Sequence, residues 1–227
     1  MITFRRSGDR GHFDHGWLDT FHTFAFGHYD PPEHRGFRAL RVINEDRVAG
    51  GRGFSPHGHL NMEIFSLVLS GRLRHEDDQG HAATLEPWQL QYMSAGSGIR
   101  HSEVNPDPGE PVHFYQVWLE PAKTGQPPRY EQRTVASSEG WQTVASPDGR
   151  DRSITIRQDA VLRIGRTSRS LSLENAEDRG CWVQVLSGRG RVEGHDIRAG
   201  DGLSQEGAGS LTLEAKGQLC VWAFDLP

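Results

Sequence analysis

Between glycines and prolines that recur at short intervals, the chain carries runs of four to eight residues rich in Val, Ile, Leu and aromatic side chains. Short apolar runs bounded by such breakers predict β-strands rather than helices. Strands are expected over residues 37–43, 63–70, 73–76, 90–93, 113–119, 153–157, 161–165, 181–186, 191–193, 210–214 and 219–224. No segment shows the 3.6-residue period of a long amphipathic helix, so the expected class is all-β. The aromatic stretch 14–29, with Trp17, Leu18, Phe21, Phe24 and Phe26, is expected to make one short helical turn before an extended arm without an obvious strand partner.

One pattern occurs twice. Val68-Leu-Ser-Gly-Arg-Leu-Arg-His-Glu-Asp77 is echoed by Val185-Leu-Ser-Gly-Arg-Gly-Arg191, and each copy is followed by a second turn, at Leu85-Glu-Pro-Trp88 and Ile197-Arg-Ala-Gly-Asp201. A repeated strand, Gly-Arg turn, returning strand and further turn imply a duplicated β unit. Pro121-Ala-Lys-Thr-Gly-Gln-Pro-Pro-Arg129, lying between the copies, suits a connection better than a central strand. The expected organisation is an N-terminal domain over 1–122, a linker over 123–150 and a C-terminal domain over 151–227.

The chain has 227 residues, 35% hydrophobic and 24% charged, enough for one substantial core or two small ones. A formal net charge of −5 supplies no bulk attraction to a phosphate backbone, so direct nucleic-acid binding is not expected. No run is long and apolar enough to cross a bilayer, and Met1-Ile-Thr-Phe-Arg-Arg lacks an apolar signal core, so the expected location is the cytoplasm. In that compartment Cys181 and Cys220 read as small buried hydrophobes rather than a disulfide or a nucleophile.

Histidine carries the chemical signal. The chain reads Pro56-His57-Gly-His59-Leu-Asn-Met-Glu63 and, later, Gly98-Ile-Arg-His101-Ser-Glu103-Val-Asn105. Strand side chains alternate, so His57 and His59 project together, as do His101 and Glu103. Two such pairs on facing strands can converge on one ion. Imidazoles with a carboxylate suit Fe, Mn, Co, Ni, Cu or Zn rather than Mg or Ca. Glu63 is in phase with the first pair and Glu103 with the second, and spacing leaves open which carboxylate is the ligand. The isolated His12, His15, His34, His75, His81, His113 and His195 read as surface residues or hydrogen-bonding core residues.

Gly51, His57, His59, Glu63 and Gly71 resemble the first metal motif of the cupin superfamily, and Gly98, His101 and Asn105 the second. The runs His57-Gly-His59-Leu-Asn-Met-Glu63-Ile, Met93-Ser-Ala-Gly-Ser-Gly-Ile-Arg-His101-Ser-Glu103 and Gly16-Trp-Leu-Asp-Thr-Phe-His22-Thr-Phe-Ala-Phe resemble the pirin family, above all its bacterial members. Matches at Phe37-Arg-Ala-Leu-Arg-Val-Ile-Asn44, Pro128-Arg-Tyr-Glu-Gln132 and Phe224-Asp-Leu-Pro227 extend the resemblance over nearly the whole chain.

The resemblance implies a bicupin, two small jelly-roll-like β-barrels packed face to face, with one divalent metal in the N-terminal barrel and iron the first choice. It maps the ligands onto His57, His59, His101 and Glu103, and leaves Glu63 to orient a ligand or a bound water. Counted from the repeat, the second-copy counterparts of His57 and His59 fall near Glu174 and Ala176, so the C-terminal barrel is expected to lack metal. The implied activity is dioxygen-dependent ring cleavage of a flavonol such as quercetin, with Glu103 or Glu63 as base. His22, Phe24, Phe26, Met93 and Gln116 are the expected substrate-pocket residues. The resemblance also admits a non-catalytic, redox-responsive regulator that binds a protein partner, and cupins in general admit other chemistry such as sugar isomerisation.

Overall fold

The computed structural model describes residues 2–227. In chain order the strands are β1 (Ile2–Arg5), β2 (Gly11–Asp14), β3 (Leu18–His22), β4 (Leu40–Val48), β5 (Gly53–Ser70), β6 (Leu73–Asp77), β7 (Ala82–Leu85), β8 (Gln89–Val104), β9 (Val112–Leu119), β10 (Arg129–Thr134), β11 (Gly140–Ser146), β12 (Ile154–Thr155), β13 (Val161–Thr167), β14 (Ser170–Asn175), β15 (Gly180–Val192), β16 (His195–Arg198), β17 (Gly202–Glu206) and β18 (Gly209–Leu226). The fold is all-β, and among the described residues no helix is long and apolar enough to cross a membrane.

Two compact units divide the chain: Gly11–Thr134, and Val135–Pro227 together with residues 2–10. The first holds one sheet in the order β2-β3-β4-β9-β5-β8-β6-β7, with β10 added to β8. The second holds the order β1-β17-β15-β18-β13-β11-β12, with β14 on β18 and β16 on β15. Hydrogen bonding follows an open path in each sheet rather than the closed ring that a barrel implies.

The repeat corresponds to the same local construction in both units. Gly71 (φ 73°) and Gly188 (φ 86°) stand at equivalent places, each pressed against a facing backbone: a Cβ on Gly71 would sit 2.6 Å from the Pro111 carbonyl oxygen, and one on Gly188 would sit 1.9 Å from that of Gln218. The Val68 carbonyl accepts the Trp88 N–H, and the Val185 carbonyl accepts the Gly200 N–H, so the second turn is tied to the first strand in the same way.

Several strands outrun the sequence expectation. β5, β8, β15 and β18 run through segments whose glycine content reads as turns, because register shifts let the strands bend and continue. The expected linker 123–150 carries β10 and β11, which pair with β8 and β13. The aromatic stretch after Asp14 contains no helical turn; β3 pairs with β2 and β4, so Leu18 to His22 have strand partners after all. Residues 2–5, expected in the N-terminal domain, pair instead with β17.

The two interiors differ in chemistry. In the second unit Leu171, Val183, Val185, Leu203, Leu211, Leu213 and Val221 form one aliphatic core. Cys181 and Cys220 are free and buried there. Burial, with Asp225 adding, pushes the Cys181 thiol up to about 12, which removes it from nucleophilic chemistry. In the first unit the apolar clusters around Val68 and Ile64 are separate, and Ser66, His75, Gln91, His101, Glu103 and Gln116 are buried as well. Buried polar groups in such number must be met by hydrogen bonds or by a ligand.

Alanine at Gly194 (φ 77°, open space around it) is expected to cost about 1 kcal/mol of stability through backbone strain alone. Alanine at Gly188 adds a steric conflict with the Gln218 carbonyl, and the expected loss is about 3 kcal/mol. Urea midpoints of the two variants check the ranking.

Candidate metal centre and pocket

β5, β8 and β6 lie side by side and carry His57, His59, His75, His101 and Glu103. His57 pairs across the ladder with His101, Phe54 with Glu103, His75 with Glu103, and Asp77 with His101. Register shifts between Phe54 and His57 and between His59 and Asn61 bend β5 where it carries its two histidines. Gly53 makes close pairing possible beside Glu103, whose carbonyl oxygen would lie 2.3 Å from a Cβ at that position.

The rings of His57, His59 and His101 have centroids 4.5–4.9 Å apart. His59 Nε2 lies 2.9 Å from His101 Nε2. His57 Nδ1 lies 2.8 Å from the Ser55 carbonyl and donates to it, which leaves Nε2 as the lone-pair nitrogen. One nitrogen from each of the three rings falls within 4.8 Å of the others, and a second such group joins His75, His101 and Glu103. Adjacent nitrogens on an ion at about 2.1 Å stand roughly 3 Å apart, so the His59–His101 separation fits a shared borderline divalent metal.

Electrostatics favour the same use. Burial first, then repulsion from His101 and His57, pushes the His59 ring down to about 4. Burial, then His57 and His75, pushes His101 down to about 3. Both rings are neutral at pH 7, the form that binds metal. Glu103 is 1% exposed and accepts hydrogen bonds from Ser66, Gln91 and Gln116, the last at 2.7 Å.

A cavity of about 530 Å³ opens onto His57, His59 and Glu103. Phe13, Trp17, Phe26, Phe54 and Trp118 supply aromatic walls, and Thr20, Asn44, Asp46 and Gln116 supply polar groups. Trp118 meets both Phe26 and His59 edge-on, at centroid distances of 5.5 and 4.8 Å. Of the expected pocket residues, His22, Phe26 and Gln116 line this cavity. His22 is tied by Nδ1 to Asn44 at 2.7 Å, and Gln116 accepts the Trp118 indole N–H at 3.1 Å while donating to Glu103.

Phe24 and Met93 are buried and do not line the cavity. Met93 packs with Ile64, Ala95 and Ile99, a cluster against which Trp118 rests. Glu63 is likewise fully buried away from the cavity and accepts the Tyr92 hydroxyl. Ser66 reaches Glu103, so alternation along β5 turns Glu63, three residues earlier, to the opposite face. The in-phase argument for Glu63 fails at Asn61, whose φ of 63° breaks the alternation between the histidines and Ser66.

A profile of the pirin family matches residues 3–119, and a quercetinase C-terminal cupin domain matches residues 143–226. Quercetin 2,3-dioxygenase of Escherichia coli K12 is 42% identical over 229 residues, covering 100% of this chain and 99% of its own. The chain belongs to the pirin family. Its fold is the pirin bicupin: the crystal structure of the bacterial pirin YhhW from E. coli in complex with nickel(II) superimposes with a TM-score of 0.96 at 41% identity, covering 100% of this chain and 99% of that one. A pirin-like protein of Caulobacter vibrioides is 34% identical over 214 residues, 90% of each chain.

Asp46 is a cavity-lining residue that sequence reading missed. Within Asn44-Glu45-Asp46-Arg47 it looks like a solvated charge, yet it is 4% exposed and lines the cavity. Burial, with Glu103, Glu45 and Asp19 adding, raises its carboxyl to about 7 against the Thr20 hydroxyl, which hydrogen-bonds to it. His75 was also read as ordinary and is instead fully buried beside His101. Its in-phase neighbour Asp77 was the available signal.

These shifts have opposite signs in the stability of the metal-free pirin. The unfolded histidines titrate near 6.5, so stability from His59 and His101 is present above that pH and lost as pH falls toward about 3. Unfolded Asp46 loses its proton near 4, so its stabilisation is present below that pH and lost as pH rises toward about 7. Asp46→Asn is therefore expected to raise stability at pH 8 by on the order of 2 kcal/mol and to leave the acid-side loss intact. Urea unfolding of the chelated protein between pH 4 and 8 checks both signs.

Proposed function

We propose that this pirin is a metal-dependent dioxygenase that opens the ring of flavonol-type substrates, with His57, His59, His101 and Glu103 as the ligands of one divalent ion, iron or nickel. The observation that carries this reading is the convergence of three imidazoles, two of them held neutral, beside Glu103 at the wall of an aromatic cavity. The 42% identity to the E. coli quercetin 2,3-dioxygenase supports the substrate class, and the nickel complex of the E. coli pirin supports the ion.

The cavity volume of about 530 Å³ accommodates a planar polyphenol. Phe26, Phe54 and Trp118 provide apolar faces and edges for its rings and keep water off them. Asn44 and Gln116 offer polar anchors at the same wall, and Gln116 also holds Glu103 in place. A bound divalent ion supplies Lewis acidity that favours the ionised form of a substrate enol. Asp46 supplies a carboxyl at the cavity surface with a proton affinity matched to neutral pH, suited to taking the enol proton and keeping it out of solvent. Glu103, already engaged by three donors, is better placed as a fixed ligand than as that base.

Metal-loaded protein mixed with quercetin in air is expected to consume one dioxygen per flavonol lost, followed by an oxygen electrode and the fading flavonol absorbance. His101→Ala abolishes the reaction, and Trp118→Ala raises KM about tenfold, equivalent to about 1.4 kcal/mol of lost packing. Metal-loaded protein that leaves both dioxygen and flavonol untouched would contradict the dioxygenase reading and favour the regulatory one, in which the ion is held without turnover.

A further inference from the structure

His101 is held from behind by a buried chain of side chains. Its Nδ1 lies 3.3 Å from His75 Nδ1, and His75 Nε2 lies 2.9 Å from Asp77 Oδ2. His75 and the Asp77 side chain are both 0% exposed. The His75 ring stacks on Tyr130, with centroids 4.8 Å apart and planes 25° apart. Tyr130 stacks in turn on His81, whose Nδ1 lies 3.1 Å from Asp77. Asp77 Oδ1 accepts the backbone N–H groups of Gln79 and His81, each at 3.0 Å.

We infer that Asp77 and His75 are positioning residues that fix the tautomer of His101, so that its Nε2 faces the metal with a free lone pair. The inference rests on the ligand assignment proposed above. Its logic is a count of protons. Asp77 Oδ2 can only accept, so His75 Nε2 carries the proton of that ring and His75 Nδ1 is left as an acceptor. His101 Nδ1 must then be the donor between the two rings, and Nε2, 2.9 Å from His59 Nε2, is left bare. A carboxylate acting through a ring on a ligand imidazole orients the ring and raises its basicity.

The chain makes no claim on a second ion. The His75, His101 and Glu103 group has ligand atoms close enough to hold one, but the His101 and His75 Nδ1 atoms are occupied with each other at 3.3 Å.

Asp77→Asn tests the proton count with a change of one atom type. The Oδ1 position receives two backbone N–H groups, so the asparagine carbonyl oxygen is held there and its NH₂ is aimed at His75 Nε2. The NH₂ donates where Oδ2 accepted, which reverses the donors along the chain and puts the proton of His101 on Nε2. Nickel(II) affinity measured by chelator competition is expected to fall 10- to 100-fold in Asp77→Asn and in His75→Phe. His75→Gln, which has both a donor and an acceptor, is expected to stay within about threefold of wild type. Nitrogen-15 spectra of the metal-free wild type, which need no variant to fold, are expected to show His101 protonated on Nδ1 and His75 on Nε2.

Wild-type nickel affinity in Asp77→Asn, the reverse tautomers, or two nickel ions bound per chain would overturn the inference. Failure of the wild type itself to bind nickel would instead overturn the ligand assignment, and the tautomer spectra would still judge the hydrogen-bonded chain.

Discussion

Three imidazole nitrogens brought together from two adjacent antiparallel strands are the constraint on which the first unit is built. His57 and His101 face each other across β5 and β8, and His59 enters from one alternation further along. Such a cluster is unfavourable in a dry interior unless each ring is neutral and each nitrogen has a purpose. The His59 and His101 rings are pushed down to about 4 and about 3, and the far nitrogens of His57 and His101 are engaged by the Ser55 carbonyl and by His75. The Nε2 atoms of His59 and His101, 2.9 Å apart, have the separation of two neighbouring ligands on one ion.

The surrounding residues follow from that requirement. Glu103 is held by Ser66, Gln91 and Gln116 on three strands, β5, β8 and β9, so its position is determined by the sheet rather than by its own rotamer freedom. Tyr130, from β10, donates to Gln91 and covers His75, which ties the last strand of this unit to the support of both Glu103 and His101. The second unit repeats the Gly-Arg turn, but its main apolar cluster is built of Leu, Val and Ile, which need no partner. A duplicated scaffold has thus kept its turns in both copies while, among the described residues, the buried histidine cluster stands in one.

Much of this was legible before any coordinates. Period-two spacing singled out His57 with His59 and His101 with Glu103, and the repeat exposed the duplication. What escaped has physical reasons. A strand that bends through a register shift looks like two short strands and a turn, so β8 and β15 were read as fragments. Glu63 looked equivalent to its histidine neighbours because alternation was assumed unbroken, whereas the left-handed Asn61 resets the phase. Asp46 gains its character from burial by residues distant in sequence, which nothing local signals, whereas the in-phase Asp77 was the one local pointer to His75. Residues 2–5 join a strand some 200 positions away, a pairing that periodicity does not carry.

The most direct measurement is the anomalous difference density of crystals grown with nickel(II). A single peak about 2.1 Å from Nε2 of His57, His59 and His101, with Glu103 reaching the same ion, is the predicted result. A peak seated on the Nδ1 atoms of His75 and His101, or ordered nickel only at surface histidines, would contradict the account.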